Sequence, residues 1–241
     1  MYGMYGYGYG YGLDPTIILV LIGVALSLWA QGRVNSTFSR YSRVRSITGM
    51  TGAEAARRLL NAQGIYDVTV QQIAGELTDH YDPRTKTVNL SQSVYGATSV
   101  AAIGVAAHEC GHAMQDNEGY APLRFRSALV PVANFGSSLS WPLILLGLVF
   151  GGLGSPLVEI GILMFSLAVL FQLVTLPVEY NASARAVRLL DAQGILAGEE
   201  VNGTRKVLNA AALTYVAAAA TSILQLLRLI ILFGGRNRRD R

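Results

Sequence analysis

Charge is what this sequence has little of. Only 14% of its 241 residues are Asp, Glu, Lys or Arg, against about 25% in an ordinary soluble domain. The shortage is concentrated. Residues 15–31 ("PTIILVLIGVALSLWAQ") and 127–150 ("SALVPVANFGSSLSWPLILLGLVF") carry no charge, 156–178 carries only Glu159, and 210–233 only Arg228. A helix needs roughly 20 mostly apolar residues to cross the hydrocarbon core. Runs of this length exclude an ordinary soluble core and imply an integral membrane protein. The first run is short for a span, and the fourth either spans or is a re-entrant or interfacial segment bent around Arg228. Cysteine is nearly absent too. The one copy, Cys110, excludes an intrachain disulfide and says nothing about compartment. No basic residue precedes the first run, where a cleavable signal would carry one, so that run reads as an uncleaved anchor. The opening "MYGMYGYGYGYG" lacks variety altogether. Glycine at alternate positions costs too much backbone entropy for a packed element, so the composition predicts a disordered tail.

The predicted layout is a Tyr/Gly tail (1–14), a transmembrane helix (15–31) and a polar segment (32–126). A transmembrane hairpin (127–178), a second polar segment (179–209), a transmembrane or re-entrant helix (210–233) and a basic tail (234–241) follow. The fold class is therefore mainly α and multi-span, with a small α+β portion. In "TGAEAARRLLNAQG" (51–64), Thr51 and Glu54 form a capping box and Gly64 suits a left-handed stop. "DVTV", "ELTDHY" and "KTVNLS" are β-prone, and "DPRTK" is a plausible hairpin turn. The chain becomes helical again through "SVYGATSVAAIGVAAHECGHAMQ" (93–115). "RAVRLLDAQGI" (185–195) echoes "RRLLNAQGI" (57–65), which suggests two similarly capped helices and carries no functional weight.

Within that helix, "HECGH" (108–112) holds two of the three histidines. Positions i and i+4 share one helix face, so His108 and His112 can bind one zinc ion, with Glu109 beside it as the base for a bound water. The alternative is a helix whose histidines are merely hydrogen-bonded. Ala106, Ala107, Gly111 and Ala113 are small and let another element approach closely. "TVNLS" just before the helix is a possible edge strand for an extended peptide. Cys110 points away from the two histidines on helix geometry.

Catalytic zinc usually takes three protein ligands. Residue 118, where a third histidine of the metzincin spacing would fall, is Glu118, and His80 sits near a turn where hydrogen bonding is its default. Asp116 and Glu118 crowd the end of the motif helix. Glu179, in "LPVEYNASARAVRLL", is the best candidate. The two apolar runs between motif and Glu179 are joined by "GGLGS", which makes a hairpin and returns Glu179 to the side of the histidines. A carboxylate at the bilayer edge suits a functional role, with helix capping the rival explanation.

The motifs "DHYDPRTKTVNLS", "AAHECGHAMQ", "LPVEYNASARAVRLL" and "LTYVAAAATSILQLLRLIILFGG" together resemble the YugP-like membrane zinc metallopeptidases, over nearly everything after the Tyr/Gly tail. The resemblance implies a zincin-like catalytic portion of gluzincin type, with His108, His112 and Glu179 as ligands of one zinc ion and Glu109 as catalytic base. "EYNAS" is also similar to the Glu-x-x-x-Asp segment of the HtpX and CAAX prenyl protease families, but Ser183 stands where those have aspartate. That departure leaves Asp116 and Asp79 as alternatives for the carboxylate that holds a histidine in its tautomer.

The implied activity is endopeptidase cleavage of membrane or membrane-adjacent proteins. The alternative is a non-catalytic scaffold or complex subunit with a structural zinc. Lys and Arg crowd the motif-bearing segments, which by the positive-inside rule puts the site on the cytoplasmic face of a cell membrane. Arginines in "RNRRDR" (236–241) speak against this if the fourth run spans. The basic residues lie beside the spans, where anionic headgroups are their partners, and need no nucleic acid.

Overall fold

The computed structural model describes residues 14–152 and 155–234. Nearly all of the Tyr/Gly tail, the middle of the "GGLGS" link and all but the first residue of the basic tail fall outside these. Two long helices open and close the described chain, α1 (Ile17–Ser42) and α7 (Glu199–Phe233). Between them come α2 (Gly52–Ala62), strands β1 (Thr69–Ile73), β2 (His80–Asp82) and β3 (Thr87–Ser91), a short α3 (Gln92–Tyr95), and α4 (Val100–Asn117). The hairpin α5 (Ala121–Gly151) and α6 (Pro156–Ala192) follows. Helices α1, α5, α6 and α7 are each long and apolar enough to cross a membrane. The protein is thus a mainly α membrane protein with a small α+β portion.

Local chemistry explains the elements. The capping box forms: Glu54 N–H donates to Thr51 Oγ1, and Thr51 N–H donates back to the Glu54 carboxylate at 2.8 Å. The two echoing segments end their helices alike. Gly64 and Gly194 adopt positive φ (69° and 59°), and the following Ile65 and Ile195 donate N–H to the Leu60 and Leu190 carbonyls and bury their side chains. Arg58 Nη2 then donates to Gln193 O at 2.8 Å, tying α2 to the cap of α6.

The sheet has the order β1-β3-β2, with β1 parallel and β2 antiparallel to β3. The expectation of an edge strand at "TVNLS" is therefore corrected. β3 is central because it pairs with β1 on one side and β2 on the other, and Val88 and Leu90 on one face and Asn89 and Ser91 on the other are all buried. The edge is β2. One face of β3, α2, α4 and the end of α6 enclose the main core, with Leu59, Leu90, Ile103 and Leu190 fully buried.

Helix ends and membrane limits do not coincide. α1 continues to Ser42, well past the apolar run, and α6 passes without a break through Glu179. Glu179, the first residue of the second polar segment, is thus in mid-helix, because "EYNASARAVRLLDA" offers no residue that stops an established helix. Small residues set the packing of the spans. A Cβ on Gly161 would lie 2.8 Å from Ser140 O, and one on Gly136 2.8 Å from Met164 O, so α5 and α6 touch backbone to backbone. α1 and α7 run antiparallel, with Gly23 against Thr221 and Tyr41 against Gly203. The fourth run is one continuous helix, and Arg228 donates to Thr16 Oγ1 at 3.2 Å and faces Asp14 Oδ2 at 3.4 Å.

Candidate metal centre

α4 begins where Ser99 Oγ accepts from Ala102 N–H at 3.2 Å, and its small residues bury almost all of it. Their size admits α6. A Cβ on Gly111 would lie 2.6 Å from Ala182 O, so only glycine permits this crossing. The crossing turns Glu179 and Ser183, one helical turn apart on α6, onto the two histidines of α4.

Glu179 Oε2 stands 3.2 Å from His108 Nε2 and 3.5 Å from His112 Nε2, and the side chain is 2% exposed. One donor atom from each of the three residues lies within 4.8 Å of the others. The rings themselves are 4.8 Å apart and nearly perpendicular. The opposite ring nitrogens are held from behind. Gln115 Nε2 donates to Val178 O and to Asn181 Oδ1, both at 2.9 Å. A backbone carbonyl can only accept, so the amide oxygen must face His112. It accepts from His112 Nδ1 at 3.0 Å, which puts the proton on Nδ1 and leaves the Nε2 lone pair directed at Glu179. His108 Nδ1 lies 3.1 Å from Ser183 Oγ.

Burial works against a charged His112. The hydrogen bond with Glu179, the charges of Glu109 and Glu179 and the bond to Gln115 outweigh it, and the ring's pKa lies above its ordinary value. Positive charge is therefore stabilised here. Two imidazole nitrogens and one carboxylate oxygen, without sulfur, match the His2Glu donor set of catalytic zinc sites, and the cluster can hold one metal ion. Glu109, between the histidines in sequence, is 7% exposed and accepts no hydrogen bond from any described residue. It lines two cavities that meet at the centre and share Asp79, His108, Glu179 and Tyr215. The larger, about 480 Å³, extends past Tyr81, Arg84, Arg126 and Asn134; the smaller, about 250 Å³, runs between Val34, Leu77, Val105 and Ala212.

The other candidates lie elsewhere. Cys110 is fully buried on the far side, its thiol directed at Ala56 O, and burial pushes its pKa up. His80 Nδ1 bonds to Thr78 O at 2.8 Å. Glu118 pairs with Arg185. Neither carboxylate considered for the histidines reaches them. Asp116 accepts from Tyr81 Oη and Lys86 Nζ, and Asp79 from the Ser91 backbone and hydroxyl. Ser183 and Gln115 take that place. Their signal was present in the spacing: Ser183 follows Glu179 by four and Gln115 follows His112 by three, both same-face intervals. Arg126 and Tyr215 were also missed. Arg126 Nη1 lies 3.7 Å from Glu179 Oε1, and its buried Nε has no partner among the described residues. Tyr215 lies within the closing motif "LTYVAAAATSILQLLRLIILFGG", but nothing in the sequence assigned it a role.

Residues 16–234 match the family model described as "Putative neutral zinc metallopeptidase". The chain is 49% identical over 217 residues to the "Putative membrane protease YugP" of Bacillus subtilis (strain 168), covering 90% of this chain and 96% of that protein. No solved structure matches.

Proposed function

This chain belongs to the neutral zinc metallopeptidase family, and we propose that it is a membrane endopeptidase cleaving peptide bonds of membrane or membrane-adjacent proteins. The observation that carries the reading is the convergence of His108 Nε2, His112 Nε2 and the Glu179 carboxylate beside a free Glu109 at the meeting of two cavities. Zinc bound by the three would polarise the scissile carbonyl and acidify the attacking water.

The chain's own residues then divide the work. Glu109 removes the proton from the attacking water and returns it to the leaving nitrogen. Arg126 and Tyr215, beside Glu179 in the larger cavity, are the donors placed for the oxygen that gains charge. Gln115 and Ser183 keep the imidazoles in the orientation and tautomer that metal binding needs. The side of the membrane follows from charge. Ten Lys or Arg lie between 32 and 126 and four between 179 and 209, against four in 236–241 beyond the end of α7. That excess supports a cytoplasmic active site.

The test uses purified protein, an unfolded protein substrate and elemental analysis. Cleavage that a chelator stops, that Glu109→Gln loses with metal retained, and that Glu179→Gln loses together with metal is the expected result. Wild-type protein that holds zinc and cleaves nothing would instead favour a scaffold or complex subunit with a structural ion.

A further inference from the structure

A cavity of about 680 Å³, larger than either at the metal centre, opens between α1, α6 and α7. Its walls carry Arg33 and Arg40 from α1, Tyr180 from α6 and Lys206 from α7, with the hydroxyls of Ser36 and Thr37 between them. No carboxylate lines it. Among the described residues none of the three cations has a carboxylate within ion-pair distance; Arg40 rests only against the Tyr41 ring. Three like charges facing one space repel each other until an anion enters.

The depth of the cavity identifies the kind of anion. Arg33 stands just past the uncharged part of α1, Tyr180 just past the apolar part of α6, and Lys206 just before that of α7. The antiparallel register of α1 and α7 and the cavity that all three residues line bring these exits together, where hydropathy puts the edge of the membrane. Below the cations the same helix faces become apolar. Trp29 lies four residues before Arg33, Leu173 seven before Tyr180, and Val216 three after the lining residue Leu213. They are 55%, 43% and 38% exposed. A ligand with a negative head and an apolar body satisfies both halves, and cavities of this size hold such molecules.

We propose that this is a binding site for an anionic phospholipid, its phosphate held among Arg33, Arg40 and Lys206 and its acyl chains lying along Trp29, Leu173 and Val216. The site is separate from the metal centre and does not depend on the peptidase reading.

Trp29 is a built-in reporter, because the chain has one other tryptophan, Trp141, which Trp141→Phe removes. The single-tryptophan protein is reconstituted in phosphatidylcholine vesicles containing either acyl-brominated phosphatidylglycerol or acyl-brominated phosphatidylcholine. Brominated phosphatidylglycerol is expected to quench Trp29 at a several-fold lower mole fraction. Each of Arg33→Gln, Arg40→Gln and Lys206→Gln should reduce that preference, about fivefold per cation at most. Arg40→Lys, which keeps the charge, should retain it, as should Arg58→Gln on the distant α2. Equal quenching by the two lipids, or a preference that survives the triple Gln substitution, overturns the proposal. So does a preference erased by inorganic phosphate but not by chloride at equal ionic strength, which would assign the cavity to free phosphate.

Discussion

Gln115 lies outside HECGH, yet it decides which nitrogen of His112 faces the centre. Its amide is pinned by the Val178 carbonyl, and the pinned amide selects the tautomer. Ser183 faces the Nδ1 of His108 with its hydroxyl. Gln115→Ala and Ser183→Ala are therefore expected to weaken zinc binding about 10- to 100-fold each, measured by competition with a chelator, while the helix content stays unchanged. Glu109→Gln should lower turnover about 10²- to 10⁴-fold at constant metal content. Cys110, inside the motif, has the opposite character. Burial raises its thiol pKa, so the folded protein should resist iodoacetamide and become labelled only on unfolding. At this scale the two proposed histidine ligands were legible in helical spacing, the proposed base in the motif, and Glu179 in the short link between two apolar runs and in the resemblance. Gln115 and Ser183 were legible in spacing but not in role, since a neutral amide and a hydroxyl look like ordinary polar residues until their partners are known.

Helices meet where side chains are missing. Gly111 is the contact between α4 and α6 that gives Glu179 access to the histidines. Gly111→Val puts a branched carbon against the Ala182 backbone. It should cost roughly 1–3 kcal/mol of stability and reduce bound zinc, read by thermal unfolding and elemental analysis. Substitution on the exposed face of α6, such as Leu173→Ala, should leave zinc unchanged. The hairpin and the return of Glu179 to the side of the motif followed from the length of the apolar runs and the short link. The continuity of α6 through Glu179 did not, because hydropathy marks where a helix leaves the membrane and not where its hydrogen bonds stop. The placement of β3 was likewise hidden. A strand's neighbours depend on which other strands find it, and "TVNLS" carries no mark of having two.

The described part of the chain is tied together near its two limits. Asp14 and Thr16 meet Arg228 across the first and last spans, so a residue that reads as an interruption from sequence alone has its partner more than two hundred positions away. α7 is thus one helix long and apolar enough to cross, and on the proposed layout the described chain begins and ends on the side away from the candidate metal centre. A membrane-impermeant thiol reagent should accordingly label Ser39→Cys from one face and Gly234→Cys only from the other. Buried Cys110 leaves the background clean.

The unbroken course of α6 has a further consequence. A helix climbs about 1.5 Å per residue, and Glu179 follows the last apolar residue of its span, Val178, directly. If the proposed function holds, the hydrolytic position is thereby pinned to a fixed height above the lipid tails, as a blade is clamped to a bench. Polypeptide segments that surface beside the bilayer pass through that plane, whereas bonds deep in a span or far out in a folded domain do not. Mapped cut sites should cluster within a few residues of a substrate's emergence from the bilayer.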